Sequence, residues 1–429
     1  MLSIVRAGCR CAIMLVALVS LQTTAIAAPM PPDSIPATSG PLTLERVLAL
    51  TSRYALTLQA TGLRAQAARA RGTDAVRRPN PTLSATAVNF GGQLGGNHRE
   101  ATLTISQLIE IGGDRSARAG VAEAESRLAS ADVGTVGQEG LAQAADRFIA
   151  AWSLQTRLER LREGEALTEQ AIRAATERFQ AGASPRLEIL RAQSRATAQT
   201  VELRRTESDL TVARQELALS WGAVTASFDF LVAPEQVPPR DTTAWRLRLS
   251  THPEQTRAAA TEALASARVQ VAAAARRPDL TLSGGVRRLE ELPGTGFLVG
   301  AELPLPLWNR GGGGVTAAHR ELDAATADRR ATEQRLQVAF ASATQRVRTA
   351  AAIYDTLRLH VRPAREQIVD ELLRGYRAGR SSYLDLAAEQ SSLLDTELAL
   401  IDAQADLWRA QLRLEFLAGS ELLTPKEAR

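Results

Sequence analysis

The chain has 429 residues, of which 4% are aromatic and 23% charged, with a formal net charge of +4 at pH 7. Ala, Leu, Arg and Glu dominate, a profile of long helices rather than compact globules. The basic residues are interspersed with acids, which excludes a nucleic-acid surface, and the only cysteines, Cys9 and Cys11, lie too near the start to build a disulfide or thiolate metal site in the body of the chain.

Residues 1 to 28 place Arg6 and Arg10 before an apolar run from Ala12 to Leu21, followed by the small-x-small signal Ala25-Ile26-Ala27. This pattern predicts a secretory signal peptide, and the run is shorter than the ~20 residues of a spanning helix. Cleavage would remove both cysteines and lower the formal charge from +4 to +2. Residues 29–41, with Pro29, Pro31, Pro32 and Pro36, read as an extended segment. A helix is predicted from Thr43 to Arg78, stopped by Pro79 and Pro81.

Leu83, Ala85 and Ala87 then alternate with polar neighbours, Gly91 to Asn97 supply turn chemistry, and Ala101, Leu103 and Ile105 alternate again. Together they predict a strand hairpin at about 82–108. A long helix follows from Arg115 to Gln180, with Leu141, Ala145, Phe148 and Trp152 on one face. At ~1.5 Å per residue it would extend ~100 Å. After a reversal at about 181–185 comes a helix at 184–221, with Ser184 as its N-cap and Pro185 at its first position.

The same order then returns: a hairpin at about 280–305, a helix over 316–377, a reversal at about 378–382 and a helix from Ser382 to Ala418. Ala181-Gly182-Ala183-Ser184 matches Ala378-Gly379-Arg380-Ser381, and Arg77-Arg78-Pro79 matches Arg276-Arg277-Pro278. Leu386, Leu393, Leu400, Leu407 and Leu414 form a heptad column that repeats as Ile189, Ala196, Leu203, Leu210 and Leu217. A repeat this long is a structural half, so the chain divides into a first repeat at 42–230 and a second at 245–422. The fold class is mainly α with a small β part: two long helical hairpins, each carrying a strand hairpin at the end away from its Ala-Gly reversal.

Each strand is close to the length a tilted strand needs to cross a bilayer, about 9 to 11 residues. Two hairpins cannot close on themselves, and open edges are not tolerated in hydrocarbon. Three copies would give a twelve-stranded barrel above a helical tube.

These duplicated hairpins and their Ala-Gly turns resemble the TolC-type outer-membrane factor family over about residues 42–422. The junctions Ser106–Arg115 and Leu303–Arg310 are similar to those of its cobalt–zinc–cadmium efflux branch, except that Asp114 stands where that branch carries Lys. The resemblance implies a homotrimer with a 12-stranded β-barrel, four strands per chain, continuous with an α-barrel in the Gram-negative periplasm. It implies an exit duct of a tripartite efflux system, in contact with outer-membrane lipid, a periplasmic adaptor protein and an inner-membrane proton-driven pump, with divalent heavy-metal cations as cargo. A duct for drugs or for type I protein secretion is the alternative. A non-pore periplasmic coiled-coil protein is the alternative of another class.

On this resemblance Ala181, Gly182, Ser184, Ala378, Gly379 and Ser381 become adaptor-docking tip turns, because small residues at exposed reversals allow close approach. Arg186, Glu188, Arg380, Asp385 and Glu389 become candidate gate charges at the narrow end of the tube. No catalytic, cofactor-binding or metal residue is predicted, and no enzyme. The histidines His98, His252, His319 and His360 are scattered. Gly311–Gly314 lacks the lysine of a phosphate loop, the sole lysine being Lys426.

Overall fold

A computed structural model describes residues 40–88, 100–234, 246, 248–289 and 294–419. The predicted signal peptide at 1–28, nearly all of the extended segment at 29–41, the turn at 91–97 and His98 lie outside the described residues. In order, the elements are α1 (Leu44–Tyr54), α2 (Leu56–Ala75), β1 (Thr82–Val88), β2 (Glu100–Ile109), α3 (Asp114–Gln180), α4 (Arg186–Leu219), α5 (Pro253–Ala274), β3 (Leu280–Leu289), β4 (Thr295–Glu302), α6 (Gly312–Thr356), α7 (Arg362–Arg377) and α8 (Tyr383–Ala418).

Two predicted helices are interrupted. The one expected over 43–78 breaks at Ala55, whose ψ of 118° leaves the helical region, and it ends at Ala75 before the prolines. The one expected over 316–377 begins at Gly312 and contains a π-helical turn, Leu357–Val361, between α6 and α7. Pro363 lies just beyond this turn and has no N–H to continue the regular ladder. The 67-residue α3 has no such turn.

The four strands form one antiparallel sheet in sequence order, β1-β2-β3-β4. Its register aligns two apolar rows. Leu83, Ile105, Gly284 and Val299 make one, and Ala85, Leu103, Val286 and Phe297 make the other. Partners across an antiparallel ladder share a face, so this face is apolar while the intervening positions, such as Thr82, Ser106 and Ser283, are polar. Within one chain the apolar face is uncovered: Phe297 is 85% and Val299 93% exposed. Both outer strands, β1 and β4, keep a free edge among the described residues.

Below the sheet, α3 packs against α2, α4, α5 and α8, and α6 packs against α5 and α8. The shorter helices stack along the long ones. On α3, Gly137 faces Leu58 of α2, while Arg162 pairs with Glu207 of α4. Gln138 of α3 donates to the Phe416 carbonyl near the end of α8 (2.5 Å) and lies 3.0 Å from His252, which caps the start of α5.

The main core sits at this joint. Thr43 caps α1 by accepting from the Arg46 amide, and Leu44, Val47, Leu48 and Thr51 give α1 one buried stripe. That stripe meets Leu141, Ala145, Phe148 and Trp152, the face predicted for α3, with Trp221, Phe228 and Trp408 completing the cluster. A parallel bridge between Leu42 and Leu231 ties the start of the described chain to the segment after α4. The heptad column of α8 is less buried than expected. Leu386 and Leu414 are enclosed, whereas Leu393, Leu400 and Leu407 are half-buried, because α8 turns Leu398, Ile401, Ala405 and Trp408 to the core instead.

His252 is only 4% exposed, and burial pushes its imidazole below the ordinary value of 6.5, with the nearby Glu254 opposing and Arg335 reinforcing. Its Nδ1 accepts from the Glu254 amide (3.2 Å), which a protonated ring could not do. The unfolded chain therefore binds the proton more readily, and stability falls as pH drops below about 6.5. The thermal midpoint of the wild type should decline between pH 7 and 5 relative to His252→Asn, which keeps a capping acceptor without titrating. Parallel curves for the two proteins would contradict this.

Candidate functional site

The two helical reversals lie at the end of the long helices opposite the sheet. At both, glycine takes a left-handed conformation: φ is +72° at Gly182 and +72° at Gly379. Nothing lies within 4 Å of a Cβ built at either position, so backbone strain rather than lack of room reserves them for glycine. The Gly182 and Gly379 amides donate to Phe179 and Tyr376 carbonyls, closing the last turns of α3 and α7. Ala181, Gly182, Ala378 and Gly379 are all exposed at the apex.

The first cap differs from expectation. Pro185, not Ser184, occupies the cap position of α4 and provides no side-chain bond, while the Ser184 hydroxyl is buried without a partner. In the second copy, as the predicted helix start implies, Ser382 accepts from the Asp385 amide (3.1 Å), and its hydroxyl donates to the Asp385 carboxylate (2.8 Å). Ser381 instead packs against Gly375, where a Cβ would collide with its hydroxyl.

The candidate gate charges separate into four kinds. Asp385 is committed to this cap. Glu389 pairs with Arg365 at 2.9 Å, joining α8 to α7 within one hairpin. Arg186 and Arg380 are exposed. Glu188 alone crosses between the halves, accepting from the Tyr376 hydroxyl at 3.3 Å.

Around that bond lies a cluster that sequence reasoning missed. Ala192, Tyr376, Tyr383 and Leu386 form a small buried core, with the tyrosine rings 6.1 Å apart. Arg178, at the foot of α3, donates to the Tyr376 carbonyl (2.6 Å), and its guanidinium stands over the Tyr376 ring at 4.4 Å. Arg195 of α4 donates to the Ala387 carbonyl of α8. Burial and the Glu188 carboxylate raise the Tyr376 phenol above its ordinary value of 10.0, so it remains a donor at neutral pH. The signal was available: Tyr376 and Tyr383 flank the second Ala-Gly turn, where the first copy has Phe179 and Arg186.

These contacts, a small buried core with a few polar bonds around it, fasten one helical hairpin to the other at their tips. Among the described residues no group of three His, Cys, Asp or Glu side chains could hold a metal ion. A cleft of about 1330 Å³ between α3, α6 and α8 carries mixed charges, including Asp146, Arg346, Asp406 and Arg413.

A sequence model of the family described as outer membrane efflux protein matches residues 49–223 and 246–420, once for each half. The cobalt-zinc-cadmium resistance protein CzcC of Cupriavidus metallidurans is 26% identical over 386 residues, covering 89% of this chain and 91% of that protein. The nickel-cobalt-cadmium resistance protein NccC of Alcaligenes xylosoxydans is 28% identical over 313 residues, 71% of this chain and 65% of that protein. Among solved structures, CusC superposes with a TM-score of 0.75 at 16% identity, over 91% of this chain and 97% of that one.

Proposed function

Because the chain belongs to the outer membrane efflux protein family, we propose that it is the outer-membrane exit duct of a heavy-metal efflux system, working as a homotrimer. The observation that carries this reading is the four-stranded sheet with one apolar face, one polar face and two free edges. Hydrocarbon tolerates no free edge, so β4 of one copy pairs with β1 of the next, and three copies close a twelve-stranded barrel with its apolar face toward lipid. The helices offer a matching seam. Val201, Val212 and Leu219 on α4 and Val338, Ile353 and Leu359 along α6 and the π turn are exposed apolar residues within one chain.

The helical tube then extends into the periplasm, with the Ala181-Gly182 and Ala378-Gly379 reversals at its mouth as docking points for an adaptor protein. A proton-driven inner-membrane pump energises export, and the Tyr376–Glu188 contact keeps the mouth narrow until the adaptor engages. The names of CzcC and NccC support divalent cations such as cobalt, zinc and cadmium as cargo. The walls need not bind the cargo tightly, because a duct must release it.

Deleting the gene should sensitise cells to cobalt, zinc or cadmium, and the full-length chain should restore growth. The protein should run as a heat-labile trimer from outer-membrane fractions. Unchanged metal tolerance with lost resistance to organic drugs would move the cargo assignment. A monomer in the soluble fraction would overturn the duct.

A further inference from the structure

Between the sheet and the helices the chain crosses one level four times, and the crossings touch one another. Arg115 donates to the Val76 carbonyl, the Ile111 amide donates to Asp279 (3.2 Å), Gly112 packs against Arg277, and Arg276 donates to the Arg310 carbonyl (3.1 Å). The level is rich in arginine, and three of its acids are committed. Glu110, 7% exposed at its side chain, is ion-paired with Arg118, whose hydrogen bond holds the carboxyl below the ordinary range. Asp74 pairs with Arg77 and Asp279 accepts from Ile111, whereas Asp114 and the exposed Glu302 make no ion pair with a described residue.

Arg78, Arg277 and Arg310 are exposed and make no ion pair with any described residue. Immediately before Arg310 the chain presents Leu305, Leu307 and Trp308, which are 66%, 60% and 93% exposed. Within one chain these apolar side chains are uncovered, next in sequence to the solvated Arg310 guanidinium. They fit a boundary where acyl chains meet phosphate. The apolar stretch follows β4 in sequence, and the positive charge of the arginines complements an anionic headgroup.

We propose that this junction is a binding site for anionic phospholipid headgroups in the leaflet facing the periplasm. Arg78, Arg277 and Arg310 supply the charge, and Leu305, Leu307 and Trp308 supply the apolar footing. In a trimer the site repeats three times around the base of the barrel. It sets the depth at which the duct sits and ties that depth to lipid composition. The proposal rests on the reading of the sheet as membrane-spanning.

The test uses the full-length trimer in mixed micelles containing equal phosphatidylglycerol and phosphatidylethanolamine, with retained lipid counted by native mass spectrometry. Wild type should retain phosphatidylglycerol over phosphatidylethanolamine by about fivefold or more, the worth of one basic side chain at an anionic surface. That preference should fall as salt rises from about 0.05 to 0.5 M. The combined variant Arg78→Gln, Arg277→Gln, Arg310→Gln should retain both lipids equally while remaining a heat-labile trimer. Equal retention by wild type, or an undiminished preference in the variant, overturns the proposal. If that variant does not assemble, the salt series on wild type decides, and a salt-independent preference overturns it. Retention of neither lipid would instead refute the membrane-spanning sheet.

Discussion

Single-channel conductance in a planar bilayer should rise when Tyr376 is replaced, and more for alanine than for phenylalanine. Tyr376→Phe removes only the hydroxyl that donates to Glu188. The loss of one such bond is worth about 1 kcal/mol, a shift of about fivefold from closed toward open. Tyr376→Ala also removes a ring that is 4% exposed, packed beside Tyr383 and covered by the Arg178 guanidinium. A loss of about 3 kcal/mol, more than about a hundredfold in the ratio of states, is expected. Glu188→Gln should resemble the phenylalanine variant. Asp385→Ala should leave conductance close to wild type, because that carboxylate caps α8, and should instead weaken the helix start by about 1 kcal/mol. If Asp385→Ala opens the channel and Tyr376→Ala does not, closure depends on a ring of acids and not on the tyrosine latch.

The second large effect is on assembly. Trp152 of α3 and Trp408 of α8 meet edge to face, with centroids 4.4 Å apart at 67°. They are 6% and 3% exposed and join the long helix of the first half to the last helix of the second. Trp152→Ala should destabilise the chain by about 3–5 kcal/mol, since the surrounding helices cannot collapse into the vacated volume. The temperature at which the trimer dissociates on SDS gels should fall well below that of Trp152→Phe, which retains an aromatic partner. A dissociation temperature equal to wild type would show that the joint contributes little. This variant acts far from the tips, so it should leave the conductance of surviving trimers unaltered. The latch variants should show the opposite pattern.

Much of this architecture was legible from local chemistry. The apolar face of α3 at Leu141, Ala145, Phe148 and Trp152 follows from helical spacing, and all four residues enter the core. The alternation in the strands aligns into continuous rows because register and period agree. The glycines of the reversals adopt the left-handed geometry that few other residues accept. Gly222 and Gly419 end α4 and α8 the same way, another pair at the spacing of the duplication.

What escaped the sequence depends on partners far apart in the chain. Glu188 and Arg186 have similar neighbours in sequence, yet only Glu188 meets a residue of the other half. The sequence reads Asp385 as a gate charge but does not show that its amide and carboxylate also close a cap with the Ser382 hydroxyl. Ser184 has the composition of a cap and does not act as one, because Pro185 takes that position. The break at Ala55 carries no helix-breaking residue at all, and the α1 it ends packs onto the core that gathers Trp221 and Phe228.

The π-helical turn between α6 and α7 has a consequence for angle. An α-helix advances about 100° per residue, so a turn that accommodates an extra residue rotates everything beyond it by about that much. Leu357–Val361 lies upstream of Tyr376 on a helix that is otherwise continuous. The azimuth at which the Tyr376 ring leaves α7 is therefore fixed at a distance, by a stretch of backbone that never touches the tip. Removing one residue from that turn would swing the latch tyrosine away from Glu188 with every tip residue intact. The first half, whose α3 runs unbroken to its reversal, has no such phase adjuster, so the aim of the latch is set on one hairpin only.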